Sequence, residues 1–157
     1  MNETTRAEIV KFAKTLAPDA KVADLGSYNI NGAVKDIIPQ AVGFDIVEGP
    51  GVDVLIEEHI PDAHLWQYDV LTAVGAFQCA DPERFKSEML GLLKVDGRFL
   101  LVSCAVGCSY RHTTSVATRD SHRWWPETLA GFLRPEFEIE YTGETNHPEC
   151  VITGRKR

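Results

Sequence analysis

Strand-like and helix-like segments alternate along most of the sequence, and this order restricts the fold more than any other feature. Short runs of apolar and β-branched residues predict strands at 21–25, 41–46, 52–56, 68–74 and 98–104. Helices are predicted from a capping box at 5–8 to Pro18, and at 32–38 and 82–93. Parallel strands need crossover connections, which are usually helices. The order therefore predicts an α/β fold with a Rossmann-like, doubly wound and mostly parallel sheet.

The last part of the chain has a different order. A short helix is predicted at 126–133, with Pro126 in its first turn, and two strands follow at 137–142 and 150–153. Because no helix separates these two strands, we expect an antiparallel hairpin at one edge of the sheet. No repeat, low-complexity tract or linker-like run interrupts the sequence, so we expect a single domain over residues 1–157.

Charge and hydropathy argue against several classes of protein. The chain has 16 basic and 23 acidic residues and a net charge of -7. This balance argues against nucleic acid as a main partner, since such binding depends on clustered Lys and Arg. No apolar run approaches the roughly 20 residues of a membrane span, so we expect no membrane partner. Residues 1–14 contain no apolar signal core, and we therefore expect a cytoplasmic protein with reduced cysteines.

The loop after the first predicted strand carries the main functional signal. It is bounded by Gly26 and Gly32 and follows the acidic residue Asp24. A strand, a glycine-bounded loop and a helix are typical of a nucleotide-cofactor site, because glycine lets the backbone approach the ligand and a helix N-terminus offers unpaired amides. Five residues separate the two glycines, so the dinucleotide fingerprint G-x-G-x-x-G is absent. This spacing disfavours a nicotinamide-dependent oxidoreductase.

A second carboxylate, Asp45, ends the second predicted strand about 20 residues after the loop begins. A carboxylate at this place can accept hydrogen bonds from both hydroxyls of a ribose. Asp24 could accept one from a cationic amino group, which a pyrophosphate ligand does not offer. Alone, each aspartate could be an ordinary turn residue at the end of a strand. Together, around a glycine loop, they favour a cofactor that carries a ribose.

The loop motif DLGSYNING, at 24–32, resembles the first motif of small class I S-adenosylmethionine-dependent methyltransferases. The resemblance continues through VGFDIVEGPGVDVL at 42–55, YDVLTAV at 68–74 and EMLGLLKVDGRFLLVSC at 88–104. It reappears in RDSHRWWPETLAGFL at 119–133. The resemblance implies S-adenosylmethionine as the cofactor and transfer of its methyl group to a small-molecule or peptide acceptor.

The resemblance also implies which residues bind the cofactor. Asp45 would hold the ribose, Ile46 would pack against the adenine, and Glu57 would lie near the adenine amino group. The methionine part would face the start of the loop and the end of the fourth strand. The complete set of implied cofactor-binding residues is Asp24, Gly26, Ser27, Tyr28, Asn31, Asp45, Ile46, Glu57 and Ala73.

The region after the fourth predicted strand departs from the resemblance. Relatives often end this strand with Glu and carry Glu-His a few residues later, whereas this chain has Gly75, Gln78 and Cys79. The connection at 56–68 is also short for a crossover helix. These departures leave open a second hypothesis, in which the chain binds S-adenosylmethionine or S-adenosylhomocysteine without catalysis or is a regulatory subunit.

The segment at 109–125 is the candidate acceptor region. It follows the fifth predicted strand, and ligands of open α/β sheets bind at the carboxyl ends of the strands. Arginine could orient an anionic acceptor there, and histidine could take a proton from a hydroxyl or amine. We therefore predict His122 and Arg123 as catalytic residues, although a solvated loop histidine is the alternative. Trp124 and Trp125 predict either a lid over the acceptor or an anchor for the next helix.

One further group of residues could suggest a metal site. Cys104, Cys108 and His112 are each four residues apart and would share one face of a helix. Gly107 and the position just after a strand favour a loop instead, and zinc sites more often use C-x2-C pairs. We therefore predict no metal site.

Overall fold

A computed structural model describes residues 1–29, 32–78, 80–107 and 122–157. Its strands form one seven-stranded sheet in the order β3-β2-β1-β4-β5-β7-β6. The bounds of the strands are β1 Val22–Leu25, β2 Val42–Asp45, β3 Val54–Leu55, β4 Tyr68–Val74, β5 Leu93–Cys104, β6 Phe137–Glu144 and β7 Glu149–Lys156. The helices are α1 Glu3–Ala13, α2 Pro82–Leu92 and α3 Pro126–Leu133.

The sheet confirms the predicted architecture. Strands β1 to β5 pair in parallel, and β7 inserts antiparallel between β5 and β6. The predicted hairpin therefore closes the edge of the sheet beside β5. Strand β1 is the middle one of the five parallel strands, so its carboxyl end lies between the carboxyl ends of β2 and β4.

Both faces of the sheet are covered by helices, as expected for a doubly wound fold. Alternate strand residues such as Val22 and Leu100 pack in one apolar cluster with Phe12 of α1. The residues that follow them, Ala23 and Leu101, belong to the opposite cluster, which contains the buried residues of α2 and α3. This two-sided burial explains the continuous apolar runs of the central strands.

The first helix begins earlier than the capping box predicted. Its N-cap is Asn2, whose side chain accepts a hydrogen bond of 2.8 Å from the Thr5 amide. The Thr5 side chain is buried and reaches Glu149 of β7 instead of capping the helix. The helix also ends at Ala13, well before Pro18, because the amide and hydroxyl of Thr15 both donate to the Phe12 carbonyl.

Two other sequence predictions on this side of the sheet are wrong in length. The predicted helix at 32–38 is a single 3-10 turn, Val34–Asp36, and the Asp36 carboxylate caps its start by accepting a hydrogen bond from the Ala33 amide. The predicted strand at 52–56 pairs only over Val54–Leu55. The Asp53 carboxylate accepts a hydrogen bond of 2.7 Å from the Gly43 amide of β2. This side-chain hydrogen bond replaces the next backbone hydrogen bond between β2 and β3.

Strand β5 begins at Leu93, five residues before the predicted strand at 98–104, and is irregular at 95–97. The pairing of β4 with β5 shifts register between Tyr68 and Val70, and Asp96 has a φ of 62°. From Leu93 to Arg98 the chain advances five residues while β4 advances two, so three extra residues are taken up within β5. No helix among the described residues is long and apolar enough to cross a membrane.

Candidate cofactor-binding site

A cavity of about 670 Å³ lies at the carboxyl ends of β1, β4 and β5. The N-terminal residues of α1 and the start of β7 close its far side. Open parallel sheets bind ligands at this edge, where neighbouring connections diverge. The residues that line the cavity are Met1, Asn2, Thr5, Asp24, Gly26, Ser27, Tyr28, Gly32, Ala33, Val34, Val74, Gly75, Gln78, Val102, Ser103, Cys104, His147, Pro148 and Glu149.

The loop after β1 requires glycine at its first position. Gly26 has a φ of +81°, and a Cβ atom there would lie 2.0 Å from the Cβ atom of Ala76. The amides of Gly26 and Ser27 both donate to the Phe44 carbonyl, at 2.8 and 3.1 Å. These contacts hold the loop against β2 and leave its backbone in the cavity wall, where a ligand can approach it closely.

Asp24 supplies a buried carboxylate to the cavity wall. The side chain accepts a hydrogen bond of 2.8 Å from the Thr72 hydroxyl, which is itself fully buried. Burial raises the pKa of Asp24 to about 7, although the Thr72 hydrogen bond and the charge of Lys35 lower it and the charge of Asp45 raises it further. A cationic group in the cavity would favour the ionised form of this carboxylate.

Ser27 adds a buried polar group that the described protein residues leave unsatisfied. The residue is 6% exposed and lines the cavity, and its Oγ atom has no hydrogen-bond partner among the described residues. Buried hydroxyls are normally hydrogen-bonded, and an exception calls for a ligand or solvent partner. The hydroxyl thus marks a place where a polar ligand atom would fit.

The other predicted cofactor residues are not all brought to the cavity. Tyr28 lines it, and its amide donates to the Asp45 carboxylate at 3.0 Å. The second Asp45 oxygen accepts the Val47 amide at 3.1 Å, so this side chain joins the two loops beside the cavity without lining it. Ile46 and Glu57 are exposed on the same side of the sheet.

Two remaining predicted positions need separate comment. The Ala73 side chain is fully buried in the apolar core, and its neighbours Val74 and Gly75 line the cavity instead. Successive strand residues face opposite sides, which explains the difference of one position. Asn31 lies outside the described residues.

The candidate catalytic residues lie one layer behind the cavity. The His122 amide donates to the Gln78 carbonyl at 3.0 Å, and the His122 ring stacks on Trp124. The Arg123 side chain donates to the carbonyl of His122. Neither side chain is in the described cavity wall, so their catalytic role stays a prediction. Most of the segment at 109–125, including Arg119, lies outside the described residues.

Trp124 anchors the helix that follows it. Its ring packs against Phe77 and Phe132, and its backbone forms a parallel bridge with Ala105 after β5. Trp125 is 57% exposed. The structure therefore confirms the anchoring interpretation for one of the two rings.

No metal site is found in the part of the chain that the structure describes. It contains no group of three His, Cys, Asp or Glu side chains that could hold an ion. Cys108 and His112, which follow Cys104 at four-residue spacing in the sequence, lie outside the described residues.

Several cavity residues were missed by sequence reasoning. Gln78 is buried, and its side-chain oxygen lies 3.1 Å from the Ser103 hydroxyl and 3.4 Å from the Cys104 amide. Gln78 departs from the Glu-His pattern of the resembling family, but no sequence pattern indicates that it lines the cavity. Glu149 is joined to Thr5 and Asn2, which are 144 and 147 residues away along the chain. No local motif could have predicted that contact.

Comparison with solved structures identifies the fold. No protein-family model and no curated protein matches the sequence. A Burkholderia thailandensis 1,6-didemethyltoxoflavin-N1-methyltransferase, solved with 1,6-didemethyltoxoflavin and S-adenosylhomocysteine, aligns with a TM-score of 0.74 and 20% identity over 98% of this chain and 78% of its own. The chain has the class I S-adenosylmethionine-dependent methyltransferase fold.

Two further structures agree with this fold. A Thermotoga maritima S-adenosylmethionine-dependent methyltransferase has a TM-score of 0.72 and 20% identity, over 96% of this chain and 89% of its own. One from Aquifex aeolicus has a TM-score of 0.65 and 13% identity, over 96% and 89%. These matches confirm the predicted Rossmann-like architecture and agree with the resemblance carried by the loop motif.

Proposed function

We propose that this chain binds S-adenosylmethionine in the cavity and transfers its methyl group to a small-molecule or peptide acceptor. The observation that carries the proposal is the buried Asp24 carboxylate, which lies in the wall of a cavity at the carboxyl edge of a methyltransferase-fold sheet. A pyrophosphate would be repelled by this carboxylate, whereas the ammonium group of S-adenosylmethionine would be attracted to it.

The residues present fit such a cofactor. Ser27 offers a buried hydroxyl that has no partner among the described residues, and Gly26 leaves the backbone open to close approach. Together with Asp24 they would hold the methionine part of the cofactor. Val74 and Gly75 line the adjoining wall and are the positions of β4 and its following turn that reach it. When bound, the cofactor would supply an electrophilic methyl group on a sulfonium.

The ribose and adenine would lie beside the junction of the two loops. Asp45 uses one lone pair of each oxygen for a backbone amide, and a carboxylate can accept further hydrogen bonds. It therefore remains able to accept the ribose hydroxyls. Ile46 is 55% exposed, which suits a side chain that covers an adenine ring, and Glu57 is exposed on the same side.

Positioning can account for much of the rate of such a reaction. Methyl transfer is an in-line displacement, so holding the acceptor in line and excluding water lowers the barrier without a strong base. The missing acidic groups after β4 are therefore compatible with catalysis. The similarity to solved methyltransferases supports an enzyme over a non-catalytic binding protein.

Calorimetry with S-adenosylmethionine, S-adenosylhomocysteine and NAD in parallel tests the proposal. We expect both sulfur ligands to bind and NAD to give no signal at millimolar concentration. Asp24→Asn should weaken both ligands, whereas the exposed control Asp19→Asn should leave them unchanged. Absence of binding to folded wild-type protein, or preference for NAD, would reject the proposal.

A further inference from the structure

A second carboxylate lies at the opposite end of the cavity from Asp24. Strands β4 and β5 separate β1 from β7, so three strand spacings, or about 14 Å, lie between the strand of Asp24 and the strand of Glu149. The methionine part of an S-adenosylmethionine molecule is too short to contact both. If Asp24 holds the cofactor, Glu149 faces the space that is left for the acceptor.

The Glu149 carboxylate is held in place by neutral donors. Asn2 donates to Oε1 at 3.0 Å and the Thr5 hydroxyl donates to Oε2 at 2.7 Å. Asn2 is fixed in turn, because its side-chain oxygen caps α1. Each carboxylate oxygen thus retains capacity for another hydrogen bond. A rigid, half-buried carboxylate with spare acceptor capacity is suited to bind a cationic donor.

The described cavity wall contains no Lys or Arg side chain, and its basic groups are the His147 ring and the N-terminal amino group. Burial lowers the pKa of that amino group, although the charge of Glu149 raises it. The net charge of -7 further favours the approach of cations.

We propose that Glu149 binds a protonated amine of the methyl acceptor, so that the acceptor is a small cationic amine. The inference rests on the proposed function, because it takes the Asp24 end of the cavity as the cofactor end. Asn2 and Thr5 are positioning residues, which hold the carboxylate toward the cavity. The apolar side chains of Val74 and Val102 lie between the two ends and would contact the carbon part of the acceptor.

Two matched sets of probes test the charge preference. One set is 2-phenylethylamine, 2-phenylethanol and 3-phenylpropionate, and the other is putrescine, 1,4-butanediol and succinate. Each is titrated into the wild-type protein saturated with S-adenosylhomocysteine, and binding is followed by calorimetry. At least one amine should bind about tenfold or more tightly than its neutral and anionic counterparts, the scale of a hydrogen bond to a charged group.

Two variants test whether Glu149 is responsible for the preference for amines. Glu149→Gln keeps the size of the side chain and removes its charge, so it should abolish the preference for the amine. Glu144→Gln removes the same charge from an exposed position on the same hairpin and should retain the preference. The comparison of probes in the wild-type protein needs no variant, so the inference stays testable if Glu149→Gln does not fold.

The outcomes separate this inference from the proposed function. If S-adenosylhomocysteine binds but the carboxylates bind as well as the amines, or no amine binds, the inference is wrong and the proposed function stands. Persistence of the amine preference in folded Glu149→Gln would also overturn it. If S-adenosylhomocysteine does not bind at all, the proposed function fails, and the inference that rests on it fails as well.

Discussion

The two ends of the cavity are built in different ways. The Asp24 end is made mostly by one stretch of chain, in which β1 runs into the Gly26 loop and Ser27 follows. The Glu149 end is assembled from α1 and β7, whose contacting residues are 144 and 147 positions apart. A binding site formed by one contiguous loop can keep the same binding residues in every protein with this fold. A binding site formed by distant segments can change its ligand preference through single substitutions. This difference supports the proposals that the first end binds the cofactor and that the second determines acceptor specificity.

The largest effect is expected at Gly26. A Gly26→Ala substitution places a Cβ atom at a φ of +81° and 2.0 Å from the Ala76 Cβ atom. Left-handed strain and overpacking together should lower the free energy of unfolding by about 2–4 kcal/mol, and binding of S-adenosylhomocysteine should be lost. Urea denaturation and calorimetry measure the two effects.

Gly131→Ala is the matched control for this substitution. A Cβ atom at Gly131 in α3 meets nothing within 4 Å, so alanine there should stabilise the protein by about 0.5–1 kcal/mol. If Gly26→Ala behaved like the control and still bound the ligand, the loop would not be the cofactor end.

The second prediction concerns Asp45. Its replacement by alanine should weaken S-adenosylhomocysteine by about 1.5–3 kcal/mol, because hydrogen bonds from the ribose to a charged group are lost. Asp45→Asn keeps one acceptor for the amide of Tyr28 or Val47 and should show a smaller loss. Calorimetry on variants of verified stability measures the difference. Unchanged affinity in a folded Asp45→Ala protein would exclude this residue from ribose binding.

Part of the proposed cofactor end could be predicted from the sequence. Asp24, Gly26, Ser27 and Tyr28 could be named, because one motif carries them and all four line the cavity. Ala73 was named in place of Val74, since a resemblance locates the end of a strand but not which face each residue takes.

The fold, like the site, could be predicted where the sequence pattern is local, and could not be predicted where tertiary packing decides the structure. Apolar runs predicted the order of the strands and the closing hairpin, because burial on both faces leaves a strong pattern. The helix predicted at 32–38 is only a 3-10 turn, Val34–Asp36, since Pro39 follows directly and disfavours a helical conformation at Ile38. No sequence pattern predicts that Glu149 lines the cavity, because its partners Asn2 and Thr5 are brought to it only by the packing of α1.

The third prediction is a pH dependence at the Asp24 end. Burial raises the pKa of Asp24 from 3.8 to about 7, so the ionised fraction in the free protein rises from about one-tenth at pH 6 to about nine-tenths at pH 8. A bound ammonium group favours the ionised form. Affinity for S-adenosylhomocysteine should therefore be about tenfold weaker at pH 6 than at pH 8.

Asp24→Asn provides the control for the pH dependence. This variant should bind the ligand weakly and without the change between pH 6 and pH 8. In the free protein, the raised pKa of Asp24 contributes stability that is present below about pH 4 and is lost as the pH rises through about 7. The asparagine variant should lack that loss in urea denaturation. An equal pH dependence in both proteins would contradict the role of Asp24.

The smallest effect is expected at the other end of the cavity. Thr5→Val removes the hydroxyl that lies 2.7 Å from Oε2 of Glu149 and should lower the free energy of unfolding by about 1 kcal/mol. Affinity for S-adenosylhomocysteine should change less than about twofold, because the cofactor end is untouched. Thr4→Val, one residue earlier in α1, is the control and should change neither quantity. A loss of cofactor affinity as large as that of Asp45→Ala would show that the two ends are not separate.

The most direct test of the account is a crystal structure of the protein with S-adenosylhomocysteine. We expect the ligand amino nitrogen within about 3.2 Å of the Asp24 carboxylate, a polar ligand atom on the Ser27 hydroxyl, and the sulfur beside Val74 and Gly75. Space lined by Glu149 should remain open at the far end of the cavity. A ligand bound elsewhere on the sheet, or with its amino group at Glu149, would contradict the assignment of the two ends.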